Sequence, residues 1–387
     1  MTLPDLDRLV PQHVRQFEAY IPSPPDDELK RIYGIEQLIR LNNNENPLGP
    51  PPAAAALLRS LEPATVSRYP SGDCKTLREH LAEYHGLTPA QLIVGNGANE
   101  VIAFVIKAFC QQGDNIVTAD RTFAVYEWIA RFSGLEARLA PLEDFGFAED
   151  GMLALMDQRT KLVFVCNPNN PTGTWWDRER LIRFLEQVGP NRIVVLDEAY
   201  CEFMVQPDYP DGISLLKRFP NLIVFRTFSK MYGLAGLRIG YLAAAEQITA
   251  MVRKTAIVYS VNTLAQAAAL AALGDQSFIR ATRTMVQEGQ QLLAACCREL
   301  NLPILQSDCN FAMIKLPFSD TLAHRLLMQQ GIMVRTMTGF RFPGWIRISI
   351  SIRDDMQQCC AALSRLIHSR TDQNLLARTY GIPHQMP

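Results

Sequence analysis

The sequence has almost no excess of charge of either sign and no long apolar run. Lys and Arg number 38 against 39 Asp and Glu, so a net charge of -1 supplies no broad cationic surface for nucleic acid or an anionic membrane. No apolar run is long enough to span a bilayer. The first residues, MTLPDLDRLVPQ, lack the basic-then-apolar form of a secretory signal. We therefore expect a cytoplasmic protein without a nucleic-acid or membrane partner.

Paired cysteine spacing is missing as well. The nine cysteines are an odd number, and no two of them form a C-x-x-C pair. This argues against a disulfide framework or a zinc site and predicts reduced thiols and no metal. What is present is ordinary for a globular enzyme: 48% of the 387 residues are hydrophobic and 20% are charged.

Short apolar strands alternate with helical patterns through much of the chain. Strands are predicted at 91–94, 115–118, 162–166, 192–196 and 222–225. Such alternation is typical of an α/β fold with a mainly parallel sheet covered by helices. In these sheets ligands collect at the carboxyl ends of the strands, and polar clusters follow three of the predicted strands, at 167–173, 197–200 and 229–230.

The length predicts a large domain with a smaller partner. We expect an N-terminal arm at 1–52 that packs with the small domain, a large cofactor-binding domain at 53–265 and a small C-terminal α+β domain at 266–387. Strands at 310–316 and 345–350 and helices near 322–330 and 356–368 would build the small domain. The polar tail after Ser369 is expected to be partly mobile.

The most informative stretch is 223–241, IVFRTFSKMYGLAGLRIGY. Lys230 follows a buried strand directly and stands between hydroxyl side chains and a glycine-rich segment, where an amine can form a Schiff base with an aldehyde cofactor. Thr227, Ser229 and Arg238 supply donors for a phosphate. Taken alone, a surface lysine in a loop explains this pattern better, so the interpretation depends on the rest of the chain.

A second candidate anion site lies at 95–100, where a strand, a glycine loop and an apolar helix follow one another. This arrangement directs backbone N–H groups and a helix dipole at an anion. The loop reads G-x-G-x-x-E, without the full dinucleotide fingerprint or its ribose-binding acid. A tight turn between strand and helix explains the segment equally well.

Asp197 ends a buried strand, where a carboxylate is tolerated if it faces a cation. The N–H of a protonated pyridine is such a cation, and a helix N-cap is the ordinary alternative. Tyr200 and Asn170 could both reach a hydroxyl on the same ring.

Six motifs together resemble those of the fold-type-I, pyridoxal-5'-phosphate (PLP)-dependent aminotransferases of class I/II, and most of all the histidinol-phosphate aminotransferase branch. They are Asn44-Glu45-Asn46-Pro47, Arg68-Tyr69-Pro70, Gly97-Ala98-Asn99-Glu100, Asn169-Asn170-Pro171-Thr172-Gly173, Asp197-Glu198-Ala199-Tyr200, and Thr227-Phe228-Ser229-Lys230 with Gly236-Leu237-Arg238-Ile239-Gly240. The resemblance implies a seven-stranded, mainly parallel sheet between helices and an obligate homodimer.

The resemblance also implies roles. Lys230 would hold the internal aldimine and shuttle a proton, Asp197 would pair with the pyridine nitrogen, and Tyr200 and Asn170 would face the ring oxygen. Phe123 stands where the family usually has a tyrosine stacked on the ring. The phosphate would be held by Gly97, Ala98, Asn99, Thr227, Ser229 and Arg238, and by Tyr69 of the neighbouring subunit.

On the substrate side, Arg347 matches the arginine that grips an α-carboxylate, and Arg335 the one that contacts a distal phosphate. Tyr20 and Asn46 match residues near the substrate. For Arg335 a surface ion pair is a competing explanation. The chain departs from the family at 22–25, 258–262 and 349–352, which are substrate-facing edges.

The reaction that the resemblance implies is amino transfer between L-histidinol phosphate and 2-oxoglutarate/L-glutamate. The alternatives are an aromatic or specialised biosynthetic aminotransferase and a phosphothreonine decarboxylase. An effector-sensing aminotransferase-like domain of a transcription regulator is a further alternative of a different class.

Overall fold

The structure, a computed structural model, describes residues 5–18 and 24–368. Tyr20 and the tail after Ser369 lie outside these ranges, so what we expect of them stays a prediction. The chain divides into two compact units. The first consists of the described parts of Met1–Ile21 and Glu45–Thr282, and the second of the described parts of Pro22–Asn44 and Arg283–Pro387. The predicted domain borders at residues 52 and 265 stay predictions.

In chain order, the strands of the described residues are β1 (Ile39–Leu41), β2 (Leu92–Gly95), β3 (Asn115–Ala119), β4 (Glu136–Ala140), β5 (Thr160–Cys166), β6 (Ile193–Asp197), β7 (Leu222–Thr227), β8 (Gly240–Ala244), β9 (Ile304–Leu305), β10 (Phe311–Lys315), β11 (Ile332–Thr336) and β12 (Trp345–Ser349).

The α-helices of the same ranges are α1 (Leu6–Leu9), α2 (Gln12–Arg15), α3 (Asp26–Tyr33), α4 (Pro52–Ser60), α5 (Lys75–His85), α6 (Ala98–Phe109), α7 (Val125–Phe132), α8 (Glu149–Ala154), α9 (Arg178–Val188), α10 (Gly212–Leu215), α11 (Glu246–Arg253), α12 (Thr263–Ala272), α13 (Gln276–Glu299), α14 (Asp320–Met328) and α15 (Arg353–His368). Within these ranges no helix combines the length and the hydropathy needed to cross a bilayer.

The first unit is organised around a seven-stranded sheet in the order β2-β8-β7-β6-β5-β3-β4. Strands β3 to β7 pair in parallel, and β8 runs antiparallel to both of its neighbours, β2 and β7. The predicted α/β fold with a mainly parallel, seven-stranded sheet is thereby confirmed. The central strands β5, β6 and β7 are buried at almost every position, as expected for strands with helices on both faces.

Neighbouring strands of this sheet end level with one another. Cys166 at the end of β5 is paired with Asp197 at the end of β6, and Asp197 is paired with Phe225 of β7. Gly240, the first residue of the antiparallel β8, lies opposite both Gly95 and Thr227, the last residues of β2 and β7. The polar segments that follow β2, β5, β6 and β7 therefore meet at one edge of the sheet, together with the segment that enters β8.

The second unit holds a five-stranded sheet in the order β1-β11-β12-β10-β9. Strand β1 pairs in parallel with β11, and the other pairs are antiparallel. Leu29 of α3 packs with Met328 of α14 and Met333 of β11 in a small buried cluster. The segment before Glu45 thus belongs to the core of this α+β unit through both a helix and a strand.

Candidate active site

Asp197 is a buried acid at the end of β6, with 3% of its surface exposed. Its Oδ2 accepts a hydrogen bond of 2.6 Å from the Tyr126 hydroxyl, and its Oδ1 accepts one of 3.0 Å from the Ala199 N–H. Burial raises the pKa of Asp197, while these two hydrogen bonds and the charge of Lys230 oppose that rise. The next helical turn, Cys201–Phe203, has Tyr200 as its N-cap. Asp197 therefore does not cap this turn. A buried acid held in this way is suited to an ion pair with a cation in the site.

Tyr126 is the residue of this site that the sequence analysis missed. It lies on α7, is completely buried, stacks on Phe164 at 4.8 Å between ring centroids and meets the Phe123 ring edge-on at 5.5 Å. Burial and the neighbouring Asp197 raise the pKa of Tyr126 well above its usual range, so the hydroxyl stays protonated and donates. The sequence of α7, VYEWIARF, is an apolar helical pattern in which a tyrosine resembles an ordinary core residue. Asp197, its partner on β6, lies far away in the sequence, so no local pattern connects the two residues.

Lys230 follows the end of β7 and is half-buried. Its Nζ lies 5.9 Å from the centroid of the Tyr200 ring, and its charge acts on Asp197. The fold therefore gathers Lys230, Asp197 and Tyr200, which come from the ends of two neighbouring strands. An amine beside a buried carboxylate and a phenol is an arrangement for moving protons.

Asn170 borders the same cluster. It is buried, and its backbone hydrogen-bonds to the thiol of Cys166, which also contacts the Tyr126 hydroxyl. The loop that carries it is fixed by its neighbours: the Thr122 hydroxyl donates to Asn169 Oδ1 at 2.7 Å, and the Trp176 N–H donates to Asn167 Oδ1 at 2.8 Å. Phe123, predicted to stack on a cofactor ring, is half-buried one residue beyond Thr122.

Glycines create a cradle beside this cluster. Gly97 has φ +81°, and a Cβ added there would lie 2.5 Å from Nη2 of Arg238, so a side chain at position 97 would collide with the guanidinium. A Cβ at Gly240 would lie 3.0 Å from the carbonyl oxygen of Arg226 and 3.3 Å from the N atom of Ala98. The missing side chain of Gly97 leaves room for the Arg238 guanidinium, and that of Gly240 lets the start of α6 lie close to β8.

Hydrogen-bond donors converge on this cradle. The first N–H groups of α6, at Ala98 and Asn99, have no acceptor within their own helix. Arg238 Nη1 lies 3.5 Å from the Ser229 hydroxyl oxygen, and the Ser229 N–H donates to Thr227 Oγ1 at 3.0 Å. Backbone N–H groups, two hydroxyls and a guanidinium are the donor set that a phosphate dianion requires. The residues present therefore fit the phosphate of PLP.

Tyr69 and Asn46, two further predicted site residues of the first unit, make contacts outside the Lys230 cluster. Tyr69 leaves 84% of its surface exposed and packs its ring on Tyr259 with 5.0 Å between centroids. Asn46 uses its amide inside the protein, since Nδ2 donates to the Met231 carbonyl at 2.8 Å and Oδ1 accepts from the Leu48 N–H at 3.1 Å. Asn46 thus anchors the chain beside Lys230, and its contact with a substrate stays a prediction.

Arg335 and Arg347 lie directly opposite each other on β11 and β12 of the second unit. Arg347 is buried, donates from Nη2 to the Asn42 carbonyl at 2.8 Å and has its guanidinium 5.5 Å from the centroid of the Phe311 ring. Arg335 is half-buried, and its guanidinium lies 5.7 Å from the centroid of the Phe340 ring. Within residues 5–18 and 24–368, Arg335 has no carboxylate at ion-pair distance, so the competing explanation for it gains no support there.

Comparisons with known proteins identify the family of the chain. The family model for aminotransferase class I and II matches residues 36–363. The histidinol-phosphate aminotransferase of Anaeromyxobacter sp. (strain Fw109-5) is 37% identical over 361 residues, which cover 93% of this chain and 99% of that protein. The one from Anoxybacillus flavithermus is 39% identical over 364 residues, covering 94% and 98%.

A solved structure shows the same fold. The histidinol-phosphate aminotransferase from Sinorhizobium meliloti, crystallised in complex with pyridoxal-5'-phosphate, superposes with a TM-score of 0.83 at 28% identity and covers 93% of this chain and 97% of that one. The resemblance and the fold type predicted from the sequence are confirmed. The chain belongs to the aminotransferase class I and II family.

Proposed function

We propose that this protein is a PLP-dependent aminotransferase that transfers an amino group between L-histidinol phosphate and 2-oxoglutarate. The observation that supports the catalytic part is the gathering of Lys230, Asp197 and Tyr200 beside a cradle of phosphate donors. The substrate is supported by the names of the relatives, which align over nearly their full length.

When bound, PLP supplies a pyridine ring that accepts the electron pair left behind when a proton leaves the substrate Cα. Lys230 Nζ would take that proton and later return one. The negative charge of Asp197 would hold the ring nitrogen protonated, and hydrogen bonds from Tyr126 and the Ala199 N–H keep both oxygens of this carboxylate in place. Tyr200 and Asn170 would donate to the ring oxygen, and Phe123 would cover one face of the ring.

The phosphate of the cofactor would be held by the N–H groups of Ala98 and Asn99, by Thr227 and Ser229 and by Arg238. Gly240 lies opposite Thr227 and beside the N atom of Ala98, so the anion would be anchored at the same edge of the sheet as Lys230. The phosphate lies away from the reacting atoms of the cofactor. Holding it orients those atoms, while the phosphate itself takes no part in the chemistry.

The paired arginines of the second unit match the two substrates. Histidinol phosphate carries a phosphate and no carboxylate, whereas glutamate carries two carboxylates. We assign Arg335 to the phosphate and Arg347, planar and held by Asn42 and Phe311, to the α-carboxylate of glutamate. The two donors thus depend on different arginines.

Replacement of Arg335 by Gln should therefore separate the two half-reactions. Loss of one charge-assisted contact is worth about 1.5–3 kcal/mol, so we expect the rate with limiting histidinol phosphate to fall roughly 10- to 150-fold while the rate with glutamate stays unchanged. The measurement is the absorbance change of the bound cofactor in single turnovers with histidinol phosphate, glutamate, phenylalanine, tyrosine and phosphothreonine. Arg335→Lys, which keeps the charge, is the matched control and should recover part of the loss.

Equal losses with both donors would show that Arg335 serves the fold and not the phosphate. Conversion of the aromatic amino acids without conversion of the phosphate ester would replace our substrate by an aromatic one.

We further propose that the protein works as a homodimer in which Tyr69 reaches the site of the neighbouring subunit. Support comes from a cluster of exposed apolar side chains around it, which we call the Tyr69 patch: Val66 (65% exposed), Tyr69 (84%), Ile257 (62%), Val258 (64%) and Tyr259 (50%). Adjoining exposed hydrophobics of this size are typical of a surface that another chain covers. We infer that a second copy of this chain covers the Tyr69 patch, because the phenol of Tyr69 could then reach the site of that copy.

Mixed dimers test this assignment. Tyr69→Phe should weaken PLP binding roughly tenfold or more, because one hydrogen bond to a dianion is lost, and Lys230→Ala should lower turnover by about 10²- to 10⁴-fold. If Tyr69 acts across the dimer, random mixing of the two variants produces one intact site in half of the dimers, so about a quarter of wild-type activity should return at limiting PLP. If Tyr69 acts within its own chain, the mixture regains nothing. Sedimentation of the separate variants confirms that both still form dimers.

A further inference from the structure

Two cysteines outside the site meet between helices of the second unit. Cys296 lies near the end of α13, and Cys360 lies in the middle of α15. The sulfur of Cys296 is 3.8 Å from the carbonyl oxygen of Cys360, and the sulfur of Cys360 is 3.9 Å from the carbonyl oxygen of Leu292, one turn before Cys296. Each thiol therefore lies against the backbone of the other helix.

The neighbouring cysteines differ from this pair. Cys297 and Cys359 are completely buried, and burial raises the pKa of the Cys297 thiol to about 12, so it stays protonated and unreactive. Cys360 is only half-buried and gives solvent a path to the pair, while 7% of Cys296 is exposed.

The Cys360 side chain favours a thiolate on Cys296. It lowers the pKa of the Cys296 thiol, against burial and the charge of Glu299, while the pKa of Cys360 rises. A thiolate next to a second thiol is the arrangement found in cysteines that are oxidised reversibly. In the part of the chain that the structure describes, all nine cysteines are free and no group of His, Cys, Asp or Glu is placed to hold a metal ion. Oxidation is thus the chemistry open to this pair.

We propose that Cys296 and Cys360 form a reversible disulfide when the protein meets a peroxide. The Cys296 thiolate attacks one oxygen of hydrogen peroxide, the O–O bond breaks, and the leaving hydroxide takes a proton to give the first water. Cys296 is then a sulfenic acid. The Cys360 sulfur loses its proton and attacks the Cys296 sulfur, the S–O bond breaks, and the second water leaves. The two thiols have given up two electrons, and one peroxide has been reduced to two waters.

The geometry favours closure over further oxidation. A disulfide needs the sulfurs about 2.05 Å apart, and here each sulfur already lies within 4 Å of a carbonyl oxygen of the partner helix. The bond would tie α13 to α15, the last helix of the described chain, and close the loop from 296 to 360.

Peptide mapping tests the proposal. The reduced holoenzyme is treated with stoichiometric hydrogen peroxide, denatured, alkylated and digested without reductant. We expect the loss of two free thiols per chain and a peptide pair that joins Cys296 to Cys360, both reversed by dithiothreitol. Cys296→Ser and Cys360→Ser should each abolish the link, whereas Cys110→Ser, at a half-buried cysteine of the first unit, should leave it intact.

Other oxidation products would overturn the proposal. These are a link that involves Cys297 or Cys359, a link between two chains, or a Cys296 sulfinic acid beside a free Cys360. If a serine variant fails to bind PLP, the peptide map of the wild-type protein still decides between these outcomes, because it identifies both partners directly.

Discussion

Replacement of Lys230 by Ala should lower turnover with every amino donor by about 10²- to 10⁴-fold, the range that a positioned proton-transfer group contributes. This loss of turnover is expected because Lys230 Nζ lies 5.9 Å from the centroid of the Tyr200 ring and its charge acts on Asp197. Among the described residues, no other amine is placed beside these two side chains. Affinity for PLP should fall far less, because the cradle of Arg238, Ser229 and the α6 N-terminus is untouched.

Two measurements separate these effects. Single-turnover absorbance with glutamate gives the chemical step, and equilibrium dialysis of PLP gives binding. Lys254→Ala, at an exposed lysine of the same unit, is the control and should leave both unchanged. An added small alkylamine should restore part of the rate in the Lys230 variant, since it can occupy the vacated space and carry the proton. Turnover by Lys230→Ala close to that of wild type would refute the proposed site.

Asp197→Asn should cost about 10²- to 10³-fold in turnover, the usual loss when one preorganised electrostatic partner of a reaction is removed. The amide keeps the shape of the side chain but carries no charge to hold the ring nitrogen protonated. The buried position increases the effect, because only 3% of Asp197 is exposed and water cannot replace the charge.

Tyr126→Phe is the matched comparison, since it keeps the carboxylate and removes only the 2.6 Å hydrogen bond to it. We expect a loss of about tenfold at neutral pH. That hydrogen bond lowers the pKa of Asp197, so its removal raises this pKa. The acid limb of the pH–rate profile should then begin at a higher pH than in wild type, a shift that a purely structural defect would not produce. An unshifted profile would leave Tyr126 with a packing role only, and full activity of Asp197→Asn would exclude the ion pair.

The central strands and their polar ends could be predicted because their sequences carry strong local signals. Strands β5, β6 and β7 are continuous apolar runs, as their two covered faces require, and the parallel topology then places Asp197 and Lys230 at one edge. Strand β8, GYLAA, emerges from a glycine-rich segment without alternation or a branched run, and its place between β2 and β7 is fixed by long-range pairing.

Contacts between distant segments had no local signal. Nothing in the pattern around Tyr126 pairs it with Asp197, and the three residues of β1 are too few to show a period, although they pair in parallel with β11. The family resemblance named the residues that are expected to face the cofactor. The side chains that hold those residues in place became visible only in three dimensions.

The pairing of Gly240 with both Gly95 and Thr227 also bears on the order of events during synthesis. A growing chain that has passed Lys230 already contains the reactive amine and the Gly97 loop, yet the sheet is still open between β2 and β7. Only when residues 240–244 enter this gap do the α6 N-terminus and Arg238 come within reach of one anion. The proposed coenzyme site is thereby complete only when the sheet is complete. On this proposal, PLP would stabilise the finished first unit and would not stabilise a shorter, nascent chain.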